Sequence, residues 1–246
     1  ALFRSFHTLK GGAGFLQLQP MIDLCHAAEE LVGGLRSGSL QMNDAILDAL
    51  PAFFGPEYKL FNVAETVIDA NWKLHVESFI EGYHIRHAHP ETFFPLGFDN
   101  LNVVELCGPH ARVTYPFRRI ERLRDVPPAE RDPSQVMSYL YHLFPNTIVS
   151  VLSHHTNVLL LDPVSTSQTR QIMFQLAHGN DDAALADARR DADFVTTTGV
   201  NEDLALVTSI QRSLNTGAND HLTFGKFEAA IAHFHKTLSE ALSAPA

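Results

Sequence analysis

Four side chains that can bind a metal or move a proton lie close together between residues 71 and 90: Glu77, Glu81, His84 and His89. They follow the order Glu-x3-Glu-x2-His-x4-His, and a pair of acidic residues, Glu202 and Asp203, lies far downstream. Two imidazoles and one carboxylate can hold Fe(II) in a facial triad that leaves coordination positions open for oxygen and a substrate. Because non-haem iron oxygenases use such triads, the pattern predicts an iron site.

The spacing of the two histidines indicates where along a helix such a site would lie. His84 and His89 are five residues apart, so on a regular helix their side chains would diverge by about 140°. Pro90 disfavours helical dihedral angles at the residue before it, which is His89. We therefore expect the helix to loosen after His84 and the metal to lie at the end of the helix.

The elements that would position this site belong to an α+β fold. Strand-like residues run from Tyr58 to Asp69, and the pattern predicts a long helix from about Ala70 to His87. Further strand-like runs cover 101–106, 111–117, 147–152, 157–161 and 171–176, and helical stretches cover 181–213 and 226–242. Strands followed by helices predict an antiparallel sheet with helices packed on one side.

Residues 1–52 have a different character. Apolar side chains recur there at helical spacing, Gly38 is a helix-stop signal, and Pro51 followed by Gly55 and Pro56 breaks the pattern. We therefore predict two domains, a helical segment over 1–52 and the α+β domain over 53–246.

The composition limits the partners of the chain. The formal net charge is -10, and acidic neighbours offset the short basic cluster at 118–124, so a nucleic-acid partner is not expected. No apolar run approaches the roughly 20 residues that span a bilayer, so no membrane is expected either. With two cysteines in 246 residues, the sequence predicts a reducing, cytoplasmic location rather than a disulfide framework.

The stretch from Asn71 to Pro90 closely resembles the iron-binding helix of the large (alpha) subunit of Rieske-type ring-hydroxylating oxygenases. The shared parts are Asn-Trp-Lys, Glu-Gly-Tyr-His and His-Pro, the aromatic loop at 93–102 and the closing helix around 227–235. The resemblance covers about residues 58–242 and implies a helix-grip-like oxygenase catalytic domain. It also implies an enzyme that uses O2 to hydroxylate a small organic substrate, which we expect to be aromatic.

The same resemblance suggests a role for each residue of the site. His84 and His89 match the two ligand histidines, and the segment 199–212 resembles the region that supplies the carboxylate ligand. Asp203 is the preferred third ligand, with Glu202 as the alternative. Glu81 stands where the family has an acidic residue, usually aspartate, that links the iron to a Rieske cluster across a subunit boundary. A carboxylate there can also orient a ligand histidine.

Electron supply is the part of this chemistry that the chain does not encode. A Rieske [2Fe-2S] centre needs two cysteines and two histidines. Cys107 and His110 have the spacing of one half of that motif, whereas Cys25 and His26 lack the spacing of the other half. We therefore expect Fe(II) but no [2Fe-2S] cluster, and a buried strand position for Cys107. The resemblance implies a homotrimer whose clusters receive electrons from a reductase or ferredoxin.

The amino-terminal residues carry a second resemblance, to the histidine phosphotransfer (HPt) domain of chemotaxis-type sensor kinases. His7 matches the phospho-accepting histidine, and Lys10 lies one turn on, where its charge can meet the phosphoryl oxygens. His26 and Glu29 match the second helix, whose glutamate orients the accepting imidazole. The match covers a partial α-helical HPt bundle and implies a response-regulator partner. Two alternative functions follow: a phosphotransfer module that uses His7, or a non-functional chimera of two incomplete domains.

Other histidines and aromatic residues suit structural roles better. His154 and His155 are predicted to top a hairpin, and His233 and His235 to have a packing or surface role. One aromatic set could line an apolar pocket, although such sets are more often core: Phe93, Phe94, Phe98, and Tyr139 or Tyr141.

Overall fold

The computed structural model describes residues 49–133, 135–219 and 221–243. The chain divides into two compact units, Ala1–Ala49 and Leu50–Ala246. The predicted amino-terminal helices and the phosphotransfer residues His7, Lys10, His26 and Glu29 lie outside the described residues. The domain boundary near residue 53 stays a prediction.

One antiparallel sheet of seven strands forms the centre of the second unit, in the order β1-β7-β6-β5-β4-β3-β2. Strands β2 to β7 follow one another as a meander, whereas β1 pairs with the last strand, β7. The strands are β1 (Lys59–Ile68), β2 (Val103–Cys107), β3 (His110–Pro116), β4 (Met137–Leu143), β5 (Thr147–Val151), β6 (His155–Pro163) and β7 (Thr169–Ala177).

Helices flank this sheet and confirm the predicted α+β class. The α-helices are α1 (Trp72–Phe79), α2 (Ile85–Ala88), α3 (Asp182–Phe194), α4 (Asn201–Asn215) and α5 (Ala229–Ser243). A π-helical segment, Val195–Val200, joins α3 to α4, and short 3-10 helices cover Leu50–Phe54, Arg118–Leu123 and Pro128–Glu130. None of the helices in the described ranges has the length and apolar character needed to cross a membrane.

The main core lies between one face of the sheet and helices α1 and α5. Because alternate side chains of a strand point to the same face, Leu159 and Leu161 of β6 both enter this core. The ring of Trp72 meets that of Phe234 edge-on at a centroid distance of 5.6 Å. The other buried members are Val76, Ile80, Ala111, Val113, Leu140, Ile148, Met173, Ala230 and Ile231.

Helix α1 is also held from a second side, by α4. Leu74 packs with Ile68 and with Val207 of α4 in a separate apolar cluster. The backbone N–H of Asn71, the residue that caps α1, donates a hydrogen bond of 2.8 Å to Oε1 of Gln211 in α4. Helix α1 is therefore fixed between the sheet and α4, and this arrangement sets where its carboxyl end lies.

The predicted long helix from Ala70 to His87 is wrong, because α1 ends at Phe79. Side-chain groups replace the helical hydrogen bonds at that point. The hydroxyl of Tyr115 donates to the backbone carbonyls of Phe79 and Glu81, each at 3.0 Å. The carboxylate of Glu81 in turn accepts the backbone N–H groups of Tyr83 and His84.

Two further differences concern elements whose sequence pattern is unusual. Strand β4 was not predicted, because its run Met-Ser-Tyr-Leu-Tyr-His-Leu mixes polar and apolar residues without the usual alternation. The predicted helical stretch 181–213 is two helices, separated by the π-helical segment that contains three threonines and Gly199. The remaining strands fall within a few residues of their predicted positions.

The main core yields a stability prediction. Phe234 is fully buried and contacts Trp72, so Phe234→Ala should lower the free energy of unfolding by about 3–5 kcal/mol. Leu242, on the same helix and 79% exposed, is the matched control, and Leu242→Ala should change stability by less than about 0.5 kcal/mol. Urea unfolding followed by the fluorescence of Trp72, the single tryptophan, measures both. Equal effects of the two variants would contradict this assignment of the core.

Candidate metal centre

His84 and His89 lie at the two ends of the one-turn helix α2. His84 precedes its first residue and has helical dihedral angles, φ -68° and ψ -24°. His89 follows its last residue with φ -122° and ψ 45°, outside the helical region, as Pro90 predicts. The ring centroids of the two histidines are 5.2 Å apart. The chain thus loosens before His84 as well as after it, and the two imidazoles lie close together despite their spacing.

Asp203, in the first turn of α4, completes a group of three potential metal ligands. Its Oδ1 lies 2.9 Å from Nε2 of His89 and 3.5 Å from Nε2 of His84. One ligand atom from each of the three residues lies within 4.8 Å of the others. Among the residues that the structure describes, this is the one group of three or more His, Cys, Asp or Glu side chains that could hold a metal ion.

The polar atoms of this group suit a bound cation. Asp203 Oδ1 is buried and accepts no aligned hydrogen bond from the described residues, although His89 Nε2 is close to it. A buried carboxylate oxygen without a donor needs another partner. Two imidazole nitrogens and one carboxylate oxygen form the donor set of a facial-triad Fe(II) site. The three side chains therefore fit the ion that the sequence predicts.

Glu202 lies on the far side of the His89 ring. Its Oε2 is 2.6 Å from Nδ1 of His89 and also accepts a 2.8 Å hydrogen bond from the hydroxyl of Thr92. Burial lowers the pKa of His89, but the carboxylates of Asp203 and Glu202 outweigh it and raise that pKa overall. Desolvation raises the pKa of Glu202, but its hydrogen bonds with His89 and Thr92 outweigh it and lower that pKa overall. Of the two alternative ligands, Asp203 is thus the one whose carboxylate lies close to the Nε2 atoms of both His84 and His89.

Glu81 lies beside His84 in the same way that Glu202 lies beside His89. One of its oxygens contacts Nδ1 of His84, and the other accepts the backbone N–H groups described above. Its side chain is nearly buried, and the charge of Glu81 adds to burial in raising the pKa of Tyr115 well above its usual value. Each histidine therefore has a carboxylate at Nδ1 and directs Nε2 toward Asp203. Such contacts fix the tautomer and ring orientation of metal-bound histidines.

Aromatic side chains close one side of the site. The Phe93 ring meets His89 edge-on at 5.1 Å and Phe194 of α3 at 5.6 Å. Gly199 leaves the space that this ring occupies, since a Cβ atom there would overlap it. Phe93 is therefore held in place by its neighbours and forms an apolar wall beside the histidines.

The other predicted aromatic residues lie elsewhere. Phe94 and Phe98 pack against the guanidinium of Arg118, at 5.0 and 4.9 Å. Tyr139 and Tyr141 flank Leu140 in β4, so they point to the face of the sheet opposite the main core. The structure does not bring these residues together with Phe93 into a single pocket.

The remaining histidines have structural contacts. The predicted hairpin at His154 is the β5–β6 connection, and His155 begins β6, where its Nδ1 lies 3.0 Å from Asp191 of α3. His235 of α5 is 2.8 Å from Glu77 of α1, which ties the two core helices together. Cys107 is buried at the end of β2, as expected. His75 is also buried, and the sequence pattern gave it no role although it lies in the same helical stretch as the motif.

Two protein-family models match the chain. The model for the ring-hydroxylating alpha subunit (catalytic domain) matches residues 55–244. The chain belongs to this family. A second model, for the Hpt domain, matches residues 1–55. Over 49 residues the chain is also 39% identical to chemotaxis protein CheA of Treponema pallidum (strain Nichols), a match that covers 20% of this chain and 6% of CheA.

Solved structures share the fold of the second unit. The quaternary ammonium Rieske monooxygenase CntA superposes with a TM-score of 0.62 at 21% identity, over 81% of this chain and 57% of CntA. Naphthalene 1,2-dioxygenase from Rhodococcus sp. has a TM-score of 0.57 at 15% identity, over 83% and 63%. Dicamba monooxygenase has a TM-score of 0.53 at 13% identity, over 78% and 62%. The chain thus spans about three fifths of the length of these solved proteins.

The position of Phe93 can be tested through Gly199. Gly199→Ala should displace the Phe93 ring from His89, lower stability by about 1–3 kcal/mol and weaken metal binding. Anaerobic titration with Fe(II) and thermal unfolding measure the two effects. Gly97→Ala is the matched control, because a Cβ atom there would meet only the Phe93 carbonyl oxygen at an ordinary 3.6 Å. Native-like iron binding by Gly199→Ala would show that the ring does not support the site.

Proposed function

We propose that the chain is the iron-binding catalytic part of a Rieske-type oxygenase that hydroxylates a small organic substrate with O2. The observation that carries the proposal is the meeting of His84 and His89, at the two ends of α2, with Asp203, in the first turn of α4. Family membership supports it, because the matched family is that of the ring-hydroxylating alpha subunits. Glu202 is better suited to support His89 than to bind the metal.

The residues around the three ligands would prepare the site for Fe(II). When bound, Fe(II) would supply redox chemistry with molecular oxygen at positions that the protein leaves open. Glu202 and Glu81 would hold the protons on Nδ1 of His89 and His84, so that each Nε2 is free to bind the metal. Phe93 and Phe194 would limit the access of water from one side.

Glu81 is also our candidate for the link to an electron donor. It lies in the turn between α1 and α2, contacts His84 directly and keeps a small exposed fraction of 9%. A carboxylate in this position can accept a hydrogen bond from a partner protein while it contacts His84. It would then connect the partner to the proposed iron ligand through a chain of hydrogen bonds. We propose that the [2Fe-2S] cluster of another polypeptide, reduced by a reductase or ferredoxin, meets the site here in a trimer or comparable assembly that contains both polypeptides.

The substrate is proposed to be aromatic on the basis of Phe93, whose ring lies beside His89. The solved structures of similar proteins do not narrow the choice of substrate class. They were determined with chemically different molecules, among them L-carnitine, 3,6-dichlorosalicylic acid and indole. Specificity in this chain must therefore come from its own side chains near the metal.

Iron stoichiometry tests the proposed centre. After anaerobic loading we expect about one Fe(II) per chain, with a high-spin signal in electron paramagnetic resonance when nitric oxide is added. His84→Ala and His89→Ala should each abolish specific iron binding, because each removes one of the three ligands. His87→Ala is the matched control, since His87 is exposed and lies between the two on the same helix. Unchanged stoichiometry in either ligand variant would refute the assignment.

A phosphotransfer function for the amino-terminal residues is a second candidate, favoured by the Hpt match and the similarity to CheA. It predicts that a CheA-type kinase with ATP places an acid-labile phosphoryl group on His7. His7→Gln should remove the label, and His87→Gln, in the second unit, should retain it. Lys10, His26 and Glu29 would support the transfer. A chain that takes up neither phosphate nor iron would instead indicate a non-functional chimera.

A further inference from the structure

Tyr115 lies against the turn that carries Glu81, although it belongs to a distant part of the chain. It is the last residue but one of β3, a strand that pairs with β2 on one side and with β4 on the other. Its ring packs against the main core, and its Cε1 atom lies 3.5 Å from the position that a Cβ atom on Gly82 would have. A strand inside the sheet therefore fixes the hydroxyl of Tyr115 beside this turn.

The Tyr115 hydroxyl replaces two donors that a continued helix would use. In a regular α-helix the carbonyl of Phe79 would accept the N–H of Tyr83. The carbonyl of Glu81 would likewise accept the N–H of Ile85, which here donates to Gly82 instead. Both carbonyls lie 3.0 Å from the hydroxyl of Tyr115 and share its single proton. Helix α1 can thus stop without leaving these two carbonyls unpaired.

The backbone N–H that is released in this way binds the carboxylate of Glu81. The N–H of Tyr83 donates to Oε2 of Glu81, and the N–H of His84 donates to the same oxygen at 3.3 Å. The other carboxylate oxygen contacts Nδ1 of His84. A continuous series of hydrogen bonds therefore connects the sheet, through the turn and Glu81, to one of the candidate metal ligands.

The hydroxyl keeps its proton under ordinary conditions. Burial, and to a smaller extent the charge of Glu81, raise the pKa of Tyr115 well above its usual value. Tyr115 is therefore a donor near neutral pH, as the two carbonyl oxygens require.

We propose that Tyr115 is a positioning residue of the metal centre, whose hydroxyl holds the turn in the conformation in which Glu81 contacts Nδ1 of His84. Tyr115 acts through Glu81 rather than through contact with the metal. Without the hydroxyl, the N–H of Tyr83 can return to the carbonyl of Phe79, and Glu81 then loses one of its two backbone donors. This inference rests on the proposed iron-binding function and adds to it a residue of the sheet.

The iron affinity of Tyr115→Phe tests the proposal, because this change removes the hydroxyl and keeps the ring. Loss of a group that orients a metal-bound histidine weakens metal binding by about 10- to 100-fold. Since Tyr115 acts one contact further from the metal, we expect the Fe(II) affinity of the full chain to fall about tenfold in an anaerobic titration. The electron paramagnetic resonance signal of the nitric oxide complex should also change shape, because His84 is less firmly oriented.

Val113→Ala separates positioning from a general loss of stability. Val113 lies two residues before Tyr115 in the same strand and is fully buried in the main core. Its truncation should lower the unfolding temperature at least as much as Tyr115→Phe does, while Fe(II) affinity and the resonance signal stay native. An equal fall of iron affinity in the two variants, or native affinity in Tyr115→Phe, would overturn the proposal.

A double-mutant comparison tests the route through Glu81. A Glu81→Ala chain has no carboxylate for the turn to hold, so the addition of Tyr115→Phe should weaken Fe(II) binding further by less than about twofold. A further loss as large as the one in the native background would show that Tyr115 acts by another route, and would also overturn the proposal.

The native chain separates failure of this inference from failure of the proposed function. If the native chain binds no Fe(II) under anaerobic loading, the proposed function fails and the inference fails with it. If the native chain binds Fe(II) and Tyr115→Phe binds it equally well, only the inference fails.

Discussion

The double attachment of α1 is the constraint on which the candidate metal centre depends. One side of this two-turn helix is buried against the sheet and α5 through Val76 and Ile80, and the other against α4 through Leu74. Burial of each such side chain contributes about 1.5–3 kcal/mol. Because α1 precedes His84 and His89 while α4 carries Asp203, the same contacts that stabilise the fold also bring the three candidate ligands together.

The carboxylates around the centre perform different tasks because their surroundings differ. Glu81 is held by backbone N–H groups in a turn, Glu202 by Thr92, and Asp203 has one oxygen without an aligned donor. The first two are thereby committed to the Nδ1 atoms of the histidines. The third remains free for a cation. Position in the hydrogen-bond network, rather than residue type, thus distinguishes the candidate ligand Asp203 from the two carboxylates that contact the histidines at Nδ1.

The interior near the site combines satisfied and unsatisfied polar groups. Most buried polar side chains there are paired, such as Gln175, which bonds with both Asn62 and Asn157 across the sheet. Among the described residues, the buried side-chain atoms without a hydrogen-bond partner are both ring nitrogens of His75, Nδ1 of His142, Nε2 of His155 and Oδ1 of Asp203. Proteins tolerate such destabilising polar groups at sites where another molecule binds and supplies the missing partner. Of these residues, His75 belongs to α1 and Asp203 to α4.

The sequence by itself determined the α+β class and most strands, and it supplied the candidate iron ligands. Strand alternation and the spacing of Glu81, His84 and His89 are local properties, and Pro90 acts on the residue beside it. The end of α1 was not predictable in this way, since it depends on Tyr115, which is distant in sequence and donates to two carbonyls of the turn. The choice between Glu202 and Asp203 was likewise left open, because adjacent residues of a helix point about 100° apart and only packing decides which one faces the histidines. The burial of His75 without a hydrogen-bond partner was not predictable either, because the tertiary structure alone creates it.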